Sequence, residues 1–271
     1  MTFPVKEAVR KRRSVRSYDG NRMSETDSAA LEAYIRELKN PFGVPVDFRL
    51  LDARTYGLTS PVLVGAETYL AAKTIRAEKF EIGYGYSFEA VCLYAASLGL
   101  GTVILAASLN RPVFEKVMDV QPDEVMPVVS PVGCPAAKRS IRETLMRKGL
   151  KADERLPFET LFFDSGFGAG LRPERAGAFA EALEMARWAP SAANRQPLRA
   201  VVDRNAVHFF EARSMKESPL GDIQKVDVGI ALAHFDLTLR EEGRTGRFVT
   251  AEPELERPAD VEYIVSFELA E

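Results

Sequence analysis

Ala189-Pro190-Ser191-Ala192-Ala193-Asn194-Arg195-Gln196-Pro197 separates two segments of different periodicity. Before it, Ala176, Phe179, Ala180, Leu183 and Arg187 recur at helical spacing over 173–188. Pro190 stops that helix, because proline has no N–H and disfavours α backbone in the residue before it. Leu198 then opens a strand to 203. A helix therefore ends, the chain turns, and Ser191, Asn194, Arg195 and Gln196 are presented before a strand begins. Carboxamides both donate and accept, so this set can read the edge of a flat heterocycle. On residue types alone, an ordinary polar loop accounts for it as well.

The composition places the chain among ordinary globular proteins. It has 271 residues, 46% hydrophobic and 28% charged, with a net charge of −3. No overall basic field recruits nucleic acid or an anionic membrane. No stretch is long and apolar enough to span a bilayer, and the amino end lacks an apolar signal region. A cytoplasmic setting is expected. Cys92 and Cys134 lie in apolar runs and are expected as buried thiols. His208 and His234, also in apolar runs, are expected as satisfied core histidines. Gly166-Phe167-Gly168-Ala169-Gly170-Leu171 fails a dinucleotide fingerprint at its last position and reads as a joint.

The local exception in charge is Arg10-Lys11-Arg12-Arg13-Ser14-Val15-Arg16. Guanidinium forks match phosphate oxygens and keep their charge at any working pH. A solvated helix end, or a targeting-like basic patch, is the other reading of the same run.

Further along, the pattern predicts helices over 5–13, 24–39, 68–80, 87–98 and 112–118. It predicts strands over 46–52, 61–66, 102–107 and 126–133. The stretch 148–173 reads as an irregular connection. Beyond the opening helix, strands follow at 198–203 and 206–212, an apolar helix at 227–240, and strands at 245–251 and 261–269. One order of helix, turn, strands, buried helix and strands thus occurs twice. Gly85 and Gly229, like Gly99 and Gly243, lie 144 positions apart. The expected fold is α+β in two similar halves, 1–150 and 173–271, joined by 151–172. A nonspecific α+β chain could show the same order by chance.

The turn at 189–197 resembles the A-P-S-x-x-N-x-Q-P turn of nitroreductase-type flavoenzymes, and Arg12-Arg13-Ser14-Val15-Arg16 resembles their amino-terminal signature. The resemblance implies a nitroreductase-like fold that binds FMN. In that family the site is composite: one subunit of an intertwined dimer supplies the basic signature and the other the A-P-S turn. Here the two signatures share one chain, far apart. The first half has Asn40-Pro41-Phe42-Gly43-Val44-Pro45 where A-P-S belongs, and the second has 162–171, without basic residues, where Arg-Arg-Ser belongs. The implied molecule is an intramolecular pseudo-dimer, a monomer with one complete flavin site. By resemblance, Arg12, Arg13, Ser14 and Arg16 hold the phosphate and ribityl chain, with Lys138 and Arg139. Pro190, Ser191, Ala192, Asn194 and Gln196 line the isoalloxazine. Leu105 and Ala106 lie at its redox edge, where the family often has an acidic residue and a glycine that this chain lacks. Arg195, by position, is a candidate for the charge at the N1–C2 edge, and Lys73 and Arg76 are unassigned candidates for the pyrimidine carbonyl.

The implied activity is an NAD(P)H-dependent flavin oxidoreductase with no catalytic side chain of its own. It would reduce a flat electron-poor small molecule such as a nitroaromatic or a quinone. The alternative is a non-catalytic flavin binder or a degenerate scaffold. No metal site is expected.

Overall fold

The computed structural model describes residues 2–270. Helix α1 (Val5–Lys11) is followed by α2 (Glu25–Glu37), whose first turn is capped by Ser24 accepting from the Asp27 N–H at 3.0 Å. Strand β1 (Asp47–Asp52) runs through a one-turn helix, α3 (Ala53–Tyr56), towards β2 (Thr68–Ile75). Then come α4 (Phe80–Ser97), β3 (Gly101–Thr102), α5 (Arg111–Met118), β4 (Glu124–Val125) and β5 (Val129–Gly133). Helix α6 (Ile141–Gly149), the short α7 (Phe158–Leu161) and β6 (Phe162–Asp164) lead into α8 (Ala180–Arg187). The chain ends with β7 (Leu198–Asp203), β8 (Ala206–Ala212), α9 (Ile223–Glu241), β9 (Gly246–Val249) and β10 (Val261–Leu269).

Two sheets result. The first has the order β1-β2-β5-β3, with β4 added to β2. The second has the order β6-β7-β8-β10-β9. Apart from β6, which joins β7 in parallel, every pair is antiparallel. The connectivity β1-β2-helix-β3-β5 therefore lays down the same spatial order as β7-β8-helix-β9-β10.

The two long helices pack on each other between the sheets. Sixteen of the 18 residues of α4 are buried, and α9 is buried along most of its length. Helices apolar on all sides belong in a core. Their crossing is set by two glycines. A Cβ on Gly85 would lie 2.1 Å from the Val226 carbonyl oxygen, and one on Gly229 would lie 2.2 Å from that of Ile82. Ile82 and Val226 are 144 positions apart, as the glycines are, so the contact is reciprocal. One hydrophobic core runs through both halves by way of this crossing.

Several expectations need correction. Residues 68–75 form a strand, not a helix, and six of the eight are buried. A strand buried on both faces shows no alternation, and Ala71, Ala72 and Lys73 imitate a helix. Residues 61–66 form a turn that touches the amino-terminal segment through a single bridge, Ser17 to Val64. The strand foreseen over 102–107 ends at Thr102. The connection contains α7 and β6. Cys134 is exposed, while Cys92 is buried.

Candidate active site

A cavity of about 930 Å³ opens where the two halves meet. Its walls are the end of α1 with the turn after it, residues 103–108 after β3, α6 with the segment that follows, the turn after α8, and the loop leading into α9.

The first wall is built by an extended segment. Arg12 has extended backbone and ends α1. Val15 donates its N–H to the Thr102 carbonyl at 2.9 Å, and Val64 donates to the Arg16 carbonyl at 2.9 Å. Alternation in an extended chain sends Val15 into the protein, against Gly101, and turns Ser14 and Arg16 to the other side. Arg16 is only 9% exposed, and its Nε and Nη1 have no partner. Burial pushes its pKa down, partly offset by Glu143. The Arg12 Nε is also buried and without a hydrogen bond, 3.5 Å from the Glu89 carboxylate. Glu89 and His234 are fully buried, 2.8 Å apart. The Nδ1 of His234 donates to the Met185 carbonyl at 2.9 Å, so its Nε2 shares one proton with Glu89.

The opposite wall is the turn after α8. Ala193, Asn194 and Gln196 have positive φ, the left-handed region that non-glycine residues seldom enter. Three sets of hydrogen bonds hold them there. Ser191 Oγ accepts from the Gln196 N–H at 2.9 Å. Asp227 Oδ2 accepts from the Ala192 N–H at 2.9 Å. The Asn194 and Gln196 carboxamides face the connection: Asn194 donates to the Lys151 and Glu154 carbonyls, and Gln196 Oε1 accepts from the Leu156 N–H at 2.8 Å. Asp227 lines the cavity from α9, and its burial pushes its carboxyl pKa well above the usual range, with Asp222 and Glu211 adding to the shift.

Of the thirteen residues the sequence singles out, the cavity brings eleven together: Arg12, Arg13, Ser14, Arg16, Leu105, Ala106, Arg139, Pro190, Ser191, Ala192 and Asn194. Lys138 and Gln196 lie outside its lining, as do Lys73, Arg76 and Arg195. Lys73 is paired with Glu124 at 2.8 Å. The Leu105 N–H is engaged by the Val129 carbonyl, whereas that of Ala106 has no partner among the described residues. Arg111 donates to the Ala106 and Pro127 carbonyls and fixes this stretch.

The sequence of residues 4–239 matches the family model described as "Putative TM nitroreductase". The chain belongs to this nitroreductase family. A crystal structure of a protein from Thermotoga maritima described as a "putative nitroreductase" has the same fold, with a TM-score of 0.64 and 21% identity, over 99% of this chain and 93% of that one. Two more distant structures align with about half of the present chain. An FMN-dependent nitroreductase from Clostridium difficile is 13% identical over 52% of this chain and 94% of its own, with a TM-score of 0.42. An iodotyrosine deiodinase bound to FMN and 3-iodo-L-tyrosine is 16% identical over 51% and 92%, also with a TM-score of 0.42. Among curated proteins, none matches the sequence.

This nitroreductase-family chain adds residues to the cavity that its signatures do not reveal. Arg147 and Arg155 come from α6 and the segment after it, Asp227, Val226 and Ile230 from α9, and Lys216 from the loop before α9. The lining holds nine bases against two acids, Asp153 and Asp227. The first-half counterpart of the A-P-S turn is closed instead. There the Asn40 carboxamide binds the Phe42 and Val44 main chain, Val44 presses on Gly83, and Phe42 packs on Tyr86 and Phe248. The hollow beside it, about 320 Å³, carries one base, Lys39.

Proposed function

We propose that the chain holds one FMN in the composite cavity and works as an NAD(P)H-dependent flavin oxidoreductase. Its acceptor is a flat, electron-poor small molecule such as a nitroaromatic or a quinone. The observation that carries the reading is that buried guanidinium nitrogens of Arg12 and Arg16 have no hydrogen-bond acceptor in the protein, Arg12 having only the Glu89 carboxylate 3.5 Å away. A buried donor left unpaired is costly, more so when charged. A phosphate dianion supplies the missing acceptors, and Ser14 adds a hydroxyl beside them.

Arg12, Arg13, Ser14, Arg16 and Arg139 would hold the phosphate end, with Lys138 nearby in sequence. Pro190, Ser191, Ala192 and Asn194 would line the ring, with Gln196 bracing the turn through the Leu156 N–H. Leu105 and Ala106 would form the facing edge, where the free Ala106 N–H is the available donor. Asp227 holds the Ala192 main chain and thereby the position of the turn. Bound FMN supplies two-electron exchange between a reduced nicotinamide and the acceptor. Because both halves of the interface lie in one chain, the proposed unit is a monomer.

Anaerobic addition of NADH or NADPH to the FMN-loaded chain tests the reading. Loss of the flavin absorbance near the visible maximum, restored by a quinone, is the expected result. A flavin that stays oxidised with both nicotinamides would leave a binder rather than an oxidoreductase.

A further inference from the structure

The two acids that line the cavity differ in their surroundings. Asp153 is exposed and ion-paired with Arg147. Asp227 is buried in α9, and Val226 and Ile230 of the same helix line the cavity with it. Its Oδ2 accepts from the Ala192 N–H at 2.9 Å, whereas Oδ1 has no hydrogen-bond partner among the described residues. A carboxyl group in this setting has one oxygen fixed on the A-P-S turn and the other left for whatever fills the cavity.

No ion pair among the described residues involves Asp227. Arg213 pairs with Asp222 at 3.2 Å and with Glu262 at 2.8 Å, and Lys225 pairs with Glu262 at 2.8 Å. Elsewhere on the lining, Arg12 faces Glu89, Arg147 faces Asp153, and Arg16 and Arg155 lie in the fields of Glu143 and Asp153. Lys216, exposed on the loop before α9, forms no ion pair. The charges that do act on Asp227 are of its own sign: Asp222 at the N-cap of α9 and Glu211 from β8, both buried. One turn past that cap, it is also beyond the strongest pull of the helix end on an anion. A buried carboxyl group with like charges beside it and no cation keeps its proton. Burial pushes its pKa well above the carboxylate range, against the pull of the Ala192 N–H.

The reaction proposed above needs such a proton. A reduced nicotinamide gives up a hydride, which is two electrons and one proton. A quinone takes up two electrons and two protons to leave as a hydroquinone. Resting on that oxidoreductase reading, we propose that Asp227 is the proton donor to the acceptor, delivering the proton on Oδ1 to a carbonyl or nitro oxygen held in the cavity. The Oδ1–H bond breaks and an O–H bond forms on the acceptor, whose electrons and other hydrogen come from the nicotinamide. The carboxylate left behind takes a proton back from water, and its Oδ2 stays on the Ala192 N–H throughout.

Asp227→Asn tests the assignment, because a carboxamide is neutral, can accept from Ala192 and can donate into the cavity, but cannot give up a proton. Infrared difference spectra of parent and variant at neutral pH should show that the substitution removes a protonated carboxyl stretch. FMN affinity of the variant should stay within about twofold of the parent, which reports an intact turn. In anaerobic stopped-flow with the FMN-loaded chains, reduction by NADH or NADPH should be unchanged. Reoxidation by p-benzoquinone should slow about tenfold or more. Loss of an ionised carboxylate band instead, loss of FMN binding in the variant, or reoxidation at the parent rate overturns the proton donor and leaves the oxidoreductase reading in place. A parent chain whose FMN neither nicotinamide reduces overturns both.

Discussion

A guanidinium in a protein interior needs acceptors on its edges, and Arg16 does not have them. Its main chain is fully used, with the N–H on Glu143 and the carbonyl on Val64, while two of its buried side-chain nitrogens have no hydrogen-bond acceptor. The backbone is thus fixed and the side chain is held ready. Replacing Arg16 by Ala should weaken FMN binding by about 2 kcal/mol, the scale of a hydrogen bond to a charged group. Equilibrium titration of FMN into the purified variant measures it, and unchanged affinity would remove Arg16 from the phosphate site. At this scale the sequence was legible where turn chemistry and charge coincide. Arg12, Ser14, Arg16, Pro190 and Ser191 announce themselves by type and spacing, and the cavity gathers them. Asp227 was hidden, because an acid in the first turns of an apolar helix reads as one more solvated or capping residue. Asn194 and Gln196 show the reverse case. Their types suit a heterocycle edge, yet their carboxamides bind the connection, a partner that no local pattern reveals.

Among the elements, the crossing of α4 and α9 sets the geometry of everything around it. Gly85 and Gly229 allow each helix backbone to sit on a carbonyl of the other. A methyl group at Gly85 would have to push the helices apart, because the opposing atom is backbone and cannot rotate away. Gly85→Ala should therefore destabilise the fold by about 3 kcal/mol, at the upper end for overpacking a core. Urea unfolding followed by circular dichroism would show it as a lower midpoint with an unchanged slope. A midpoint equal to that of the parent chain would mean that the helices are less closely apposed. Helices α4 and α9 were legible as buried because their apolar residues surround the axis. Strand β2 was misread for a related reason: burial on both faces erases the alternation that marks a strand. Helix α6 escaped notice because its inward face is polar. Glu143 and Arg147 turn inward to the main chain of Arg16 and Ser14 instead of to an apolar core, so its pattern runs opposite to that of an ordinary amphipathic helix.

For the whole molecule, the two sheets share one strand order and the central crossing is reciprocal, but the two pseudo-equivalent sites differ. One is an open cavity rich in arginine, bounded by the amino-terminal signature and the A-P-S turn. At the other, Val44 and Phe42 fill the space, and the adjoining hollow carries a single lysine. We read this asymmetry as the mark of an internal duplication in which each half has kept the part of the site that the other has lost. A two-fold dimer repeats every site, whereas a fused pair of halves is free to keep one.

The most direct measurement is the flavin stoichiometry of a purified chain of known mass in solution. It combines FMN titration by fluorescence with light scattering. The account predicts one FMN per chain, bound to a monomer of about 30 kDa. Two FMN per chain would show that the closed site still binds, and a dimer holding its flavins between chains would show that the composite site is not intramolecular. Either result would contradict the account.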